Sequence, residues 1–192
     1  MTHPGPDARI RYHRTDWLPL RTLILLRWMA IVGQSSALAV AQLYLDFDLP
    51  MGLCLMTVAA AILVNLVTNN IFPRNKRLSE TQSMALLLFD TLQLAVLLYF
   101  TGGLTNPFSL LLLAPVVVSA SALDLRATVI IGAAAASCTT VIALFRVPLH
   151  TLSGQVFGIP KLFEFGFWLS ILVGIAFLGL YARRISTEIH AM

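Results

Sequence analysis

The sequence predicts an all-α, polytopic membrane protein with six transmembrane helices. Hydrophobic residues make up 58% of the 192 residues and charged residues only 11%, whereas a soluble domain carries about 25% charged residues. The mean hydropathy is +0.83. The apolar residues are also gathered into six runs, each close to the roughly 20 residues that a helix needs to cross the hydrocarbon core of a bilayer.

The six runs fill the chain between a polar N-terminal tail and a short polar C-terminus, and turn-forming or charged residues separate them. The shortest break, between the fourth and fifth runs, contains only Asp124 and Arg126 as charged residues. We therefore expect a basic tail at 1–21, either amphipathic or disordered, a membrane domain at 22–182 and the start of a cytoplasmic linker at 183–192. The predicted helices cover 22–45, 52–72, 82–101, 107–123, 127–145 and 163–182.

The placement of Lys and Arg predicts the orientation, because loops on the cytoplasmic side carry an excess of these residues. With six helices, only Arg146 and Lys161 fall on the outer side, and Arg27 lies inside the first helix, where we expect it to snorkel towards the cytoplasmic headgroups. Both termini are therefore predicted to be cytoplasmic. The remaining ten of the 13 basic residues share the inner side: Arg9, Arg11, Arg14, Arg21, Arg74, Lys76, Arg77, Arg126, Arg183 and Arg184.

One acidic residue, Asp90, lies near the middle of the third predicted helix, with Gln93 on the same face. Acids inside a membrane are costly and usually face the protein interior. Two interpretations remain open. Asp90 is either a proton-linked or ligand-binding acid, or it forms an interhelical hydrogen bond with Gln34, Asn65 or a hydroxyl group.

Motifs for enzymatic chemistry are missing from the sequence, which contains no GxGxxG, P-loop, HExxH or CxxC. The four histidines all lie away from mid-membrane depth, so a pair of axial haem ligands is not expected. Cys54 and Cys138 lie in apolar runs, where thiols behave as small hydrophobic groups. We expect no catalytic residue, metal or haem in this chain. The net charge of +4 indicates membrane topology more than nucleic-acid binding.

Small residues recur at four-residue spacing in the sixth run, at Gly166, Ser170 and Gly174. Such a surface lets two helix backbones approach closely. It predicts either a dimer interface or a contact inside the domain.

The segment 102–108, GGLTNPF, lies between the third and fourth predicted helices on the outer side. Its two glycines permit positive φ angles. Thr105 and Asn106 offer hydrogen-bonding groups, and Phe108 offers an aromatic face at the membrane edge. The segment is therefore either a ligand site or purely structural, with Asn106 as N-cap and Pro107 at the first helical position.

The run GGLTNPFSLLLLAPV resembles the GGxxNPF quinone-binding signature of the RegB/PrrB/ActS family of redox-sensing histidine kinases. The similarity extends to the six-helix plan and to the basic tail that leads into Leu26-Arg27-Trp28. It also includes Asp90 and Gln93 upstream of the glycines, so it covers essentially the whole chain.

This resemblance implies that the domain binds ubiquinone or ubiquinol from the membrane pool as a regulatory ligand, and that oxidised quinone inhibits the kinase. The family's kinase autophosphorylates on a histidine and passes the phosphoryl group to a response regulator. Its ATP-binding and phosphoacceptor regions would lie beyond Met192, and His190 is expected to be a linker residue. A homodimer in a bacterial inner membrane is also expected from the resemblance. The residues that match the motif are Gly102, Gly103, Asn106, Pro107 and Phe108, with Thr105, Asp90 and Gln93 as polar support.

Two other functions remain open from the residues alone. A small proton-coupled transporter would use Asp90 as its proton site and predicts inverted repeats and broken helices, but no internal repeat is visible. A membrane scaffold without a small ligand is the third interpretation. The sequence that follows Met192 would discriminate among them, because a sensor requires a kinase dimerisation helix there.

Overall fold

The computed structural model describes residues 20–71 and 78–189, and within them the predicted all-α fold is confirmed. Five of the six predicted helix starts lie within two residues of the observed ones, and α6 continues well beyond 182. The fourth predicted start, at 107, is the first residue of a 3₁₀ helix, and α4 itself begins at Leu113. The helices are α1 Leu20–Leu43, α2 Met51–Ile71, α3 Glu80–Phe100, α4 Leu113–Ala122, α5 Leu125–Leu144 and α6 Lys161–Ile189. The predicted tail, the basic residues of the second loop and His190 lie outside the described residues.

Five of these helices are long and apolar enough to cross a membrane: α1, α2, α3, α5 and α6. The fourth segment, Pro107–Ala122, is shorter, and its first six residues form a 3₁₀ helix over Pro107–Leu112 that leads directly into α4. A 3₁₀ helix rises about 2.0 Å per residue, compared with about 1.5 Å in an α-helix. The segment is therefore roughly 27 Å long, close to the roughly 30 Å hydrocarbon core.

Local capping explains why two helices begin where they do. Ser79 and Gln82 form a capping box in which the Gln82 N–H donates to Ser79 Oγ at 3.2 Å and the Ser79 N–H donates to Gln82 Oε1 at 3.0 Å. This reciprocal pair satisfies two amide groups at the start of α3. Asp124 caps α5 by accepting from the Ala127 N–H at 2.7 Å, which separates α4 from α5 with a break of only two residues.

Helix α3 lies at the centre of the packing. On one side it joins α4, α5 and α6 in the larger apolar core, which includes the fully buried Leu98, Leu112 and Ile171. On its other side α1 and α2 pack in a second cluster around Cys54 and Leu97. The domain is thus a pair of helices attached to a four-helix group, with α3 shared between them.

A small antiparallel sheet, which the sequence did not predict, connects the two groups at one end of the molecule. Strands β1 Phe47–Asp48, β2 Leu149–Thr151 and β3 Val156–Phe157 pair in the order β1-β2-β3. Strands of two or three residues are too short to give an alternating pattern that can be recognised. The sheet joins the α1–α2 connection to the α5–α6 connection beside the turn that follows α3.

Candidate functional site

The two glycines of the turn are required by its geometry. Gly102 and Gly103 have φ angles of 97° and 61°. A Cβ atom on Gly103 would lie 2.6 Å from the Ile142 carbonyl oxygen, and one on Gly102 would lie 2.6 Å from Leu149 Cδ1. Because a backbone oxygen cannot easily move aside, only glycine fits at 103. Both glycines are buried behind the turn, where they shape it.

Asn106 has the structural role that the sequence allowed. Its Oδ1 accepts from the Phe108 N–H at 3.0 Å, so it is the N-cap of the 3₁₀ helix, and Pro107 follows at the start of that helix. Its Nδ2 donates to Thr101 Oγ1 at 2.8 Å. An amide nitrogen carries two hydrogens, so one of them is left for a further acceptor.

A cavity of about 940 Å³ lies next to this turn, between α1 on one side and the 3₁₀ helix and α4 on the other. Its wall is mainly apolar, and α3 forms its floor. Of the predicted site residues, the cavity brings together Thr105, Asn106, Pro107, Phe108, Asp90 and Gln93, but not the two glycines.

The prediction that Arg27 snorkels to the headgroups is wrong. Arg27 is only 6% exposed. It faces Asp90 with two nitrogens, Nε 2.7 Å from Oδ1 and Nη2 3.0 Å from Oδ2. A guanidinium and a carboxylate arranged in this bidentate way neutralise each other inside the membrane. The partner of Asp90 is therefore a cation, and not the amide or hydroxyl groups that the sequence suggested.

The sequence contained a signal for this ion pair. Arg27 lies seven residues into α1 and Asp90 ten residues into α3, which corresponds to depths of roughly 10 Å and 15 Å. If α1 and α3 both start from the cytoplasmic side, these opposite charges lie in the same half of the membrane. Comparing their depths would have predicted the pair.

A second polar contact joins the same two helices. Gln93 Nε2 donates to Gln34 Oε1 at 3.0 Å, and Gln34 Nε2 donates back to Gln93 Oε1 at 3.4 Å. Both amides line the cavity, as do Arg27 and Asp90. Together the two pairs hold α1 and α3 at a fixed separation along the floor of the cavity.

A third polar contact lies behind the turn. Arg146 packs against Gly103, where an added Cβ would come within 2.8 Å of Arg146 Cδ. The same arginine forms an ion pair with Glu164 in the first turn of α6. The turn is thus in contact with the residue that ties the end of α5 to the start of α6.

The helical arrangement belongs to a known class of membrane domain. Residues 17–159 match the family model described as the PilS-like transmembrane domain. The chain therefore belongs to the family of PilS-like transmembrane domains.

Within this class, the chain is similar to RegB sensor histidine kinases. It is 53% identical over 189 residues to one RegB of Cereibacter sphaeroides and 54% identical over 189 residues to a second RegB of the same species. Each alignment covers 98% of this chain but only 41% of the relative. No solved structure matches the chain. The resemblance to the membrane-embedded sensor domain of the RegB/PrrB/ActS family is confirmed, and the chain is a multi-pass membrane protein.

Proposed function

We propose that this domain is the redox-sensing part of a two-component sensor histidine kinase and that it binds ubiquinone at the GGLTNPF turn. The observation that supports this proposal is the cavity, which is largely apolar and has Asn106 and Phe108 at one end. A quinone ring requires a flat apolar contact and a few hydrogen bonds, and ligand sites generally combine an apolar wall with a small number of polar groups.

Asn106 would supply the discrimination between the two redox states. A quinone has two carbonyl acceptors, whereas a quinol has hydroxyl groups that also donate. The remaining Nδ2 hydrogen of Asn106 is a donor that matches a carbonyl. Phe108 is 46% exposed and would pack on the ring. Preference for the oxidised form would hold the kinase in its inhibited state, because a ligand shifts a two-state equilibrium towards the state that it binds more tightly.

The proposal also includes the setting of the domain. The domain would lie in the bacterial inner membrane with both termini cytoplasmic, as the distribution of basic residues predicts. It would act as a homodimer, and α6 would lead towards a cytoplasmic kinase domain that binds ATP and phosphorylates a response regulator. The chain spans only 41% of the RegB relatives, and their kinase activity enters this proposal through that similarity alone.

Two substitutions at the turn test the proposed site. Asn106→Asp keeps an oxygen that can cap the 3₁₀ helix but removes the amide donor, and Phe108→Leu keeps an apolar side chain but removes the ring. We expect each to weaken the binding of oxidised ubiquinone by about tenfold, the effect of losing one good contact. Binding is measured by titrating ubiquinone into the purified chain in lipid nanodiscs.

The matched control is Phe163→Leu, because Phe163 is 71% exposed on α6 and is not part of the cavity wall. This variant should bind ubiquinone as the unaltered chain does. Unchanged binding in both turn variants would rule out the site.

A further inference from the structure

The cavity extends far beyond the turn. Its lining residues on α1 run from Leu23 to Ala41, which corresponds to roughly 27 Å along a helix. A volume of about 940 Å³ equals that of roughly thirty water molecules in the liquid. The ring of a quinone bound at Asn106 would therefore fill only one end of this space.

The polar groups on the cavity floor below the turn already have partners. Arg27 is paired with Asp90, and Gln34 is paired with Gln93. An occupant of this part of the cavity needs to satisfy neither a charge nor an amide. The chemistry of the floor thus favours a hydrocarbon chain over a second polar head group.

The wall formed by α1 is lined by small residues at helical spacing, namely Ala30, Gly33 and Ala37. A Cβ atom added to Gly33 would meet no protein atom within 4 Å. Since Gly33 is also part of the cavity wall, the space beside it is the open cavity itself.

The cavity opens laterally between α1 and the segment that leads into α4. Met29 and Val40 on α1 are 64% and 47% exposed, and Leu111 on the opposite wall is 45% exposed. All three are apolar and line the cavity. In a membrane, side chains with this exposure face the acyl chains of lipids, so a molecule dissolved in the bilayer can enter here.

We propose that this groove between α1 and α4, lined by Ala30, Gly33 and Ala37, holds the isoprenoid tail of the bound quinone. The inference rests on the proposed function, since the groove is continuous with the end that carries Asn106 and Phe108. It identifies the ligand class as long-tailed quinones. Because lipid is as apolar as the groove, the groove selects its occupant by shape, and a tail that no longer fits prevents the ring from reaching the turn.

The test is Gly33→Leu, which places a branched side chain in the groove. The added side chain takes up the space that the tail would fill, and a tenfold loss of affinity corresponds to about 1.4 kcal/mol. We expect a long-tailed ubiquinone to bind about tenfold more weakly to this variant, while an analogue with a single isoprene unit binds as it does to the unaltered chain. Gly33→Ala should give a smaller loss in the same direction.

The matched control is Gly166→Leu. Gly166 is also a helical glycine at which an added Cβ atom would meet nothing within 4 Å, but it is not part of the cavity wall. It should bind both quinones normally. If Gly33→Leu binds the long-tailed quinone as well as the unaltered chain does, the groove holds something else, such as a lipid acyl chain, and the inference is overturned. Equal weakening of both quinones also overturns it. If the unaltered chain binds neither quinone, the proposed function fails as well.

Discussion

At the scale of single residues, the turn divides its functions between two kinds of side chain. Gly102 and Gly103 are buried and adopt positive φ angles, so they determine the path of the backbone. Thr105, Asn106 and Phe108 line the cavity. The glycines would be needed for this turn even if no ligand were bound, because the Ile142 carbonyl oxygen leaves no room for a side chain at 103.

Gly103→Ala is therefore expected to destabilise the domain. The left-handed conformation alone costs an L-residue roughly 1–2 kcal/mol, and the contact with the Ile142 oxygen adds to that cost. We expect a total loss of about 3 kcal/mol in the free energy of unfolding. Unfolding by sodium dodecyl sulfate, followed by circular dichroism in mixed micelles, measures it.

Gly154→Ala provides the control. Gly154 also has a positive φ, 81°, but a Cβ atom there would meet nothing within 4 Å. This variant should lose only the conformational part, about 1 kcal/mol. Equal losses at the two positions would mean that the close approach to Ile142 is not important for stability.

The buried ion pair is the second feature at this scale. Removing one partner of such a pair leaves an uncompensated charge, whereas replacing both with apolar residues is often nearly neutral. We expect Arg27→Met and Asp90→Leu each to cost about 3 kcal/mol of unfolding free energy, and the double variant to cost less than about 1 kcal/mol.

The same detergent unfolding applied to all four members of the double-mutant cycle measures the coupling. Additive losses would show that Arg27 and Asp90 do not stabilise each other.

The result also bears on the transporter hypothesis. An Asp90 whose main role is to neutralise Arg27 can be replaced together with it, whereas a proton site cannot be replaced without loss of transport.

At the scale of secondary-structure elements, the helix that begins at the turn packs closely on the last helix. A Cβ atom on Gly174 would lie 3.3 Å from Leu113 Cδ2, and one on Gly179 would lie 3.4 Å from Val116 Cγ1. The small-residue surface predicted on α6 is thus, at Gly174, a contact inside the domain. At Gly166 it is open, because an added Cβ atom there would meet none of the other described residues within 4 Å.

Gly174→Leu should disturb this interface. The larger side chain would overlap Leu113, and overpacking typically costs about 1–3 kcal/mol. We expect a loss of that size in the free energy of unfolding, measured as above. The same substitution at Gly166 should change it by less than about 0.5 kcal/mol, the usual limit for exposed sites. Similar losses in both variants would contradict close packing of α4 on α6.

At the scale of the whole molecule, the sequence predicted the helices well and the contacts between them poorly. Hydrophobic run length and turn residues placed the starts of α1, α2, α3, α5 and α6 within two residues, but placed the fourth start at the 3₁₀ helix, six residues before α4. The capping box at Ser79 and the N-cap at Asp124 account for starts that hydropathy placed slightly late.

What the sequence did not predict depends on residues that are far apart in the chain. Gly103 meets Ile142 and Arg146, and Arg27 meets Asp90. The six residues of 3₁₀ helix after Asn106 also have no clear signal in composition. For the candidate site, the motif identified the turn, but only the arrangement of α1, α3 and α4 revealed the cavity beside it.

The pairing of Arg27 with Asp90 also has a consequence for how the chain is assembled. Arg27 leaves the ribosome 63 residues before its partner. An unpaired arginine costs roughly 2.5–3.5 kcal/mol at the centre of an inserted helix, and less towards its ends. Until α3 is inserted, this cost favours a position of α1 near the membrane surface or within the translocation machinery. We therefore expect α1 to reach its final depth only after α3 has entered the membrane and paired with it.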